Sequence, residues 1–169
     1  MYNIGKTAAA GTGRRRELVG LAVFVILCLG ISALGGWVTA SSVGTWYPAL
    51  DKPSFNPPVW VFAPVWTALY VMIAVAGWRV WRRRGLAGAR VAMSAYALQL
   101  ALNLGWSFLF FGGHMIGAAL AEIVLLQAAI VLNTMLFWRI ERAAALLLFP
   151  YAAWVVFATV LNAALWRLN

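Results

Sequence analysis

Trp46, Tyr47, Phe55, Trp60, Trp66 and Tyr70 fall within one stretch, WYPALDKPSFNPPVWVFAPVWTALY, interleaved with Pro48, Pro53, Pro57 and Pro58. Proline fixes φ and lowers the entropy lost when a loop orders. The rings add large flat faces with polar edges. The chemistry this pattern suits is contact with a flat, apolar small molecule, with residues 41–58 as a lid and the following helix as a wall. Other chemistry is thinly provided. Cys28 is the single cysteine and can form no internal disulfide, so it reads as a packing residue. His114 is the single histidine, in the Gly112-Gly113-His114 turn. One histidine without a partner is more often a turn or interface residue than a ligand or base. The sequence shows no metal cluster, no haem ligand pair and no ordinary acid–base constellation.

The elements that must position these rings are membrane helices. Of the 169 residues, 64% are hydrophobic, and the mean hydropathy is +0.87. Five apolar runs each reach the ~20 residues needed to cross a bilayer. They lie at about 18–40, 59–81, 91–111, 116–138 and 143–165. The fold class is therefore all-α, a single bundle of five transmembrane helices. Residues 1–17 read as a basic, uncleaved and disordered tail, because Gly35-Gly36-Trp37 makes no clean signal cleavage site.

The net charge of +9 does not point to nucleic acid, because of where the charge sits. Eleven basic residues cluster before the first span, between the second and third, and between the fourth and fifth. Only Lys52 and Arg167 lie on the other side. This asymmetry predicts a cytoplasmic N-terminus, with the lid loop and C-terminus outside. WRRRG then reads as an orientation anchor near anionic lipid.

Aromatic belts account for Trp37, Trp46, Trp60 and Trp166 at the outer boundary and Trp78, Trp81 and Trp138 at the inner one. Trp66, Trp106 and Trp154 remain, all deeper in the outer half, beneath the lid. They fill the core or contact a ligand, and the shared level with the lid favours contact. In the third span, Ala97, Ala101 and Gly105 repeat at i, i+4, i+8, a spacing that lets helices approach closely in lipid. That stripe is the predicted dimer face. Gln99, Asn103 and Trp106 centre about 170° away, on a face that needs polar partners or a cavity. In the fifth span, Pro150 removes a backbone bond and favours a kink. Tyr151, Trp154, Ala158 and Asn162 follow on one face. Glu122 is the one carboxylate inside a span, and its burial is costly unless it is neutral, paired or hydrated. Gln99 and Asn103 are its candidate partners across the bundle.

The 46–70 string resembles the signature of the tryptophan-rich sensory protein family, also called TspO/MBR or translocator protein. ALNLGWSFLFF, the acidic residue early in the fourth span, and FPYAAWVVFATVLNAALWRLN carry the same resemblance, which covers about residues 18–169. It implies a homodimeric five-helix membrane protein that binds porphyrins, haem-like tetrapyrroles and synthetic ligands of the benzodiazepine-receptor type, with cholesterol in animal members. By motif position it implies Trp66, Asn103, Trp106, Trp154 and Ala158 as pocket residues. Trp46, Phe55, Trp60, Tyr70 and Tyr151 complete the expected ligand set. Phe55 stands where members often have tryptophan. The central tyrosine of the proposed sterol motif is absent, since Ala163-Ala164 follow TVLN. A tetrapyrrole is thus favoured over a sterol.

The resulting reading is a tetrapyrrole-binding sensory or regulatory protein. The alternatives are a transporter of porphyrins or other small apolar ligands, and a light-dependent porphyrin-degrading enzyme using Trp66 and Trp154. A helical bundle argues for a bacterial inner membrane, although the resemblance also includes members reported in the outer membrane.

Overall fold

The computed structural model describes residues 4–169, with side chains from Gly13 onward. Helix α1 is Ile4–Val43, and α2 is the single turn Trp46–Ala49. Next come α3 (Val59–Gly88), α4 (Arg90–Ser107), a π-helical turn (Phe108–Gly112) and α5 (Ile116–Trp138). Last are α6 (Arg142–Leu146) and α7 (Phe149–Leu168). No strand occurs among the described residues. Five segments are long and apolar enough to cross a bilayer: Gly13–Val43, Val59–Gly88, Arg90–Gly112, Ile116–Trp138 and Arg142–Leu168. The chain is a multi-pass membrane protein.

Three local features differ from expectation. Residues 4–17, expected as a disordered tail, continue α1, as alanine, arginine and glutamate favour helix. The WRRRG link is also helical up to Gly85, where α3 kinks because Gly85 takes φ +65°, a left-handed conformation that side chains resist. The fifth span is two helices, broken at Leu147 and Leu148, with Pro150 in the first turn of α7. There its missing N–H costs no helical bond. Pro64 lies within α3.

Small residues set the spacing of α1 against α3. A Cβ on Gly20 would sit 2.2 Å from the Trp81 ring, and one on Gly77 would sit 2.9 Å from the Phe24 ring. Around these close approaches this half of the bundle packs as a ring cluster. Phe24 meets Tyr96 edge-on with centroids 5.9 Å apart, and Tyr96 stacks on Phe137 at 5.9 Å and 15°. Cys28 is fully buried, with Sγ 3.1 Å from the Tyr96 hydroxyl.

One end of the bundle is closed by charge. Glu141, buried at the start of α6, pairs with Arg79 and lies 3.7 Å from Arg83. Arg82 reaches Glu17 at 3.6 Å and lies 4.6 Å above the Trp78 ring. Arg16 covers Trp81, and Arg142 covers Trp138. Cations over indoles at one boundary suit an interface where rings sit between hydrocarbon and headgroup.

Candidate ligand-binding cavity

At the opposite end the helices part. Contact between α3 and α7 is slight, and a cavity of about 480 Å³ opens among α1, α3, α4 and α7 beneath α2. That volume lies within the roughly 300–1,000 Å³ typical of small-molecule sites. Two kinds of wall face it. Phe62, Trp66 and Tyr70 of α3, Trp106 of α4, and Trp154 of α7 supply rings. Ser32, Gly35, Gly36 and Thr39 of α1 supply a flat wall with little side chain. The π turn adds Phe110 and Phe111 together. Its carbonyl of Phe108 accepts from Gly113 N at 2.8 Å, and that of Leu109 from Met115 N at 2.9 Å. Such wide turns inside helices recur at functional sites.

The polar groups at the cavity are mostly bound to one another. Tyr70 donates its hydroxyl to Asn103 Oδ1 at 2.5 Å, and Asn103 Nδ2 donates to the Tyr151 hydroxyl at 3.0 Å. Trp106 Nε1 donates to Asn162 Oδ1 at 3.1 Å, while Asn162 Nδ2 donates to the Ile116 carbonyl at 3.0 Å. These bonds tie α3, α4, α5 and α7 together behind the rings. Trp154 Nε1 is different: it has no partner among the described residues and is shielded from the cavity as well, so a partner would reach it only if the ring moved.

The lid is fastened at several points. Trp46 stacks on His114 at 4.2 Å and 12°, and His114 Nε2 lies 3.0 Å from Ser42 Oγ. Tyr47 is buried and donates to Asn56 Oδ1 at 2.6 Å. Burial pushes its phenol above the usual range, and the Asn56 bond opposes that. Lys52 donates to the carbonyls of Pro48 and Leu50, and Asn169 exchanges two 3.0 Å bonds with the Asp51 backbone.

The cavity gathers Trp66, Tyr70, Asn103, Trp106, Trp154 and Ala158 from the expected ligand set. The other four lie elsewhere. Trp46 is turned to His114, and Phe55 packs edge-on to Phe157 at 6.5 Å. Trp60 is 74% exposed, like Trp37 at 73%, as an outward belt residue would be. Tyr151 is fully buried behind Asn103 rather than at the surface of the cavity. Phe62, Phe110, Phe111 and the small-residue wall of α1 also line the cavity, though the sequence reading did not single them out. The wall had a signal: Ser32, Gly35, Gly36 and Thr39 share one helical face. The π turn had none, because periodicity assumes regular α geometry.

Gln99 and Glu122 do not bond to each other, and Glu122 does not bond to Asn103. Ala97 and Ala101 are exposed, whereas Gly105 looks onto Glu122, whose Oε1 lies 3.7 Å from a Cβ built there.

The profile of the TspO/MBR family matches residues 24–167. The chain is 40% identical over 158 residues to "Tryptophan-rich protein TspO" of Chlorobaculum tepidum, covering 91% of this chain and 98% of that one. It is 40% identical over 126 residues to the human "Translocator protein", covering 73% and 75%. It is 38% identical over 124 residues to the "Tryptophan-rich sensory protein" of Cereibacter sphaeroides, covering 73% and 77%. The match takes in the lid, the ring-bearing stretches of α3, α4 and α7, and the helices that hold them, and the chain belongs to the TspO/MBR family.

Proposed function

We propose that this protein is a membrane sensory or regulatory protein that binds a tetrapyrrole, porphyrin or haem, in the cavity beneath the 41–58 lid. The observation that carries the reading is the pairing of an aromatic wall with a nearly side-chain-free one. A flat ring system can lie against glycine and serine on one face and meet Trp66, Trp106 and Trp154 with the rest. No histidine, cysteine or methionine lines the cavity, so recognition would rest on ring contacts rather than on a metal held by those side chains. The sensory role is supported by the name of the Cereibacter sphaeroides relative.

The proposed setting is a bacterial inner membrane with a cytoplasmic N-terminus, and a homodimer formed through the exposed Ala97 and Ala101, with Gly105 of the expected stripe turned to Glu122 instead. Trp66 and Trp154, both on the cavity wall, also favour a second reading, light-dependent porphyrin breakdown. Titration of the protein in lipid nanodiscs with protoporphyrin IX, read by its absorbance, tests the first reading. One saturable site is expected. Unsaturable uptake equal to that of empty nanodiscs would overturn it. Product analysis under illumination separates the enzyme, and flux into sealed vesicles separates a transporter.

A further inference from the structure

Glu122 stands about one and a half turns inside α5, where an ionised carboxylate costs several kcal/mol unless paired. Both of its carboxylate oxygens are shielded, and neither has a hydrogen-bond partner among the described residues. Among the described residues no cation pairs with it. Arg79 and Arg83 are engaged by Glu141, and Arg82 by Glu17, at the far end of the bundle. The elements packed on α5 bring few other titratable groups. α4 carries Tyr96 and Arg90, the latter exposed at its inner end. α6 carries Arg142, which lies over Trp138. α7 carries Tyr151 and Arg167, the latter exposed at its outer end, and the π turn carries none.

Elsewhere on α4, Gln99 is 1% exposed, and both its amide atoms lack partners among the described residues. Tyr151 accepts from Asn103 and has no acceptor for its own proton among the described residues. Glu122 Oε1 lies 3.7 Å from a Cβ built on Gly105, two residues along α4 from Asn103. Asn103 in turn receives the Tyr70 proton, and Tyr70 and Asn103 both line the cavity. A neutral carboxyl can both donate and accept, and one buried water with two to four polar partners would bridge it to Tyr151.

We propose that Glu122 is a proton-binding site inside the membrane, held as the neutral carboxylic acid, and linked through water, Tyr151 and Asn103 to the wall of the ligand cavity. A ligand that pulls on Tyr70 or Asn103 then changes the hydrogen bonding of the Glu122 proton. Only this last clause rests on the proposed tetrapyrrole function.

Infrared spectroscopy of the protein in phosphatidylcholine nanodiscs tests the site. At neutral pH, a protonated-carboxyl band should be present in the wild type, lost in Glu122→Gln and moved in Glu122→Asp, which keeps the acid if the amide variant does not fold. Tyr151→Phe should shift the band in the empty protein, and protoporphyrin IX should shift it in the wild type. A Glu122-dependent carboxylate band instead, whether constant or formed on adding sodium, would overturn the proton site. An unmoved band in Tyr151→Phe, or on measured porphyrin binding, would overturn the link. Failure of porphyrin to bind would count against the tetrapyrrole reading alone, since the empty-protein spectra still decide the site.

Discussion

Trp154→Ala is the perturbation with the most direct consequence at the cavity. The ring is held by Phe62 at 6.0 Å and 73° and by Phe157 at 5.4 Å and 43°, so only part of it faces a ligand. Taking roughly a third of a ~200 Å² indole surface as ligand contact gives ~1.5 kcal/mol of apolar burial. Stacking adds ~0.5–1 kcal/mol. The loss should then be about 2–2.5 kcal/mol, or about 30- to 70-fold in Kd for protoporphyrin IX. Trp154→Phe keeps a smaller ring, so a loss of about fivefold, near 1 kcal/mol, is expected. Trp60→Ala removes an indole that points outward and should change Kd by less than about twofold. The assay is porphyrin absorbance in nanodiscs, which does not depend on the number of tryptophans left. Circular dichroism checks the fold. Wild-type affinity in Trp154→Ala would refute the cavity assignment. Equal losses in Trp154→Ala and Trp60→Ala would mean that porphyrin merely partitions onto aromatic surface.

Three further outcomes follow from the same geometry. Gly36 lines the cavity, and a Cβ there meets nothing within 4 Å, so Gly36→Phe should block ligand while leaving the melting temperature near wild type; undiminished porphyrin binding would place the ligand elsewhere. In a Cys28→Ala background, the exposed positions Thr45→Cys and Ala87→Cys should label from opposite faces of sealed vesicles, and labelling from one face would defeat the orientation drawn from the basic residues. Ala101→Leu should weaken crosslinked dimer in lipid without unfolding the chain, and an unchanged dimer would move the interface to another helix.

Much of the architecture is legible without coordinates. Apolar runs of bilayer length sort themselves into helices because no other open structure satisfies the backbone in lipid. The fourth span matches α5, Ile116–Trp138. The breaks were harder to place. α3 runs to Gly88, several residues past the expected boundary, with a kink at Gly85, and Pro150 starts α7 instead of kinking a continuous helix. Both depend on how neighbouring helices dock, not on the local composition.

The cavity shows the same division. Residue type and helical spacing already place Trp66 with Tyr70, and Trp154 with Ala158, each pair on one face. Depth alone puts Trp106 near their level. Which rings turn inward is a different question, because a tryptophan near the interface is equally content with lipid headgroups or with a neighbouring ring. Trp46 illustrates this: its sequence position suits a lid, but stacking on His114 holds it away from the cavity. Tyr47 beside it is the ring that reaches in. The one-residue difference arises from the single turn of α2 and the bond from Ser42 to the Phe111 carbonyl, a contact 69 residues apart. Spans, orientation signal and aromatic supply follow from the sequence itself, since each depends on local composition against a fixed bilayer. The hollow and the partnerless Glu122 arise only when distant helices meet, because a gap is a property of the surfaces that fail to touch.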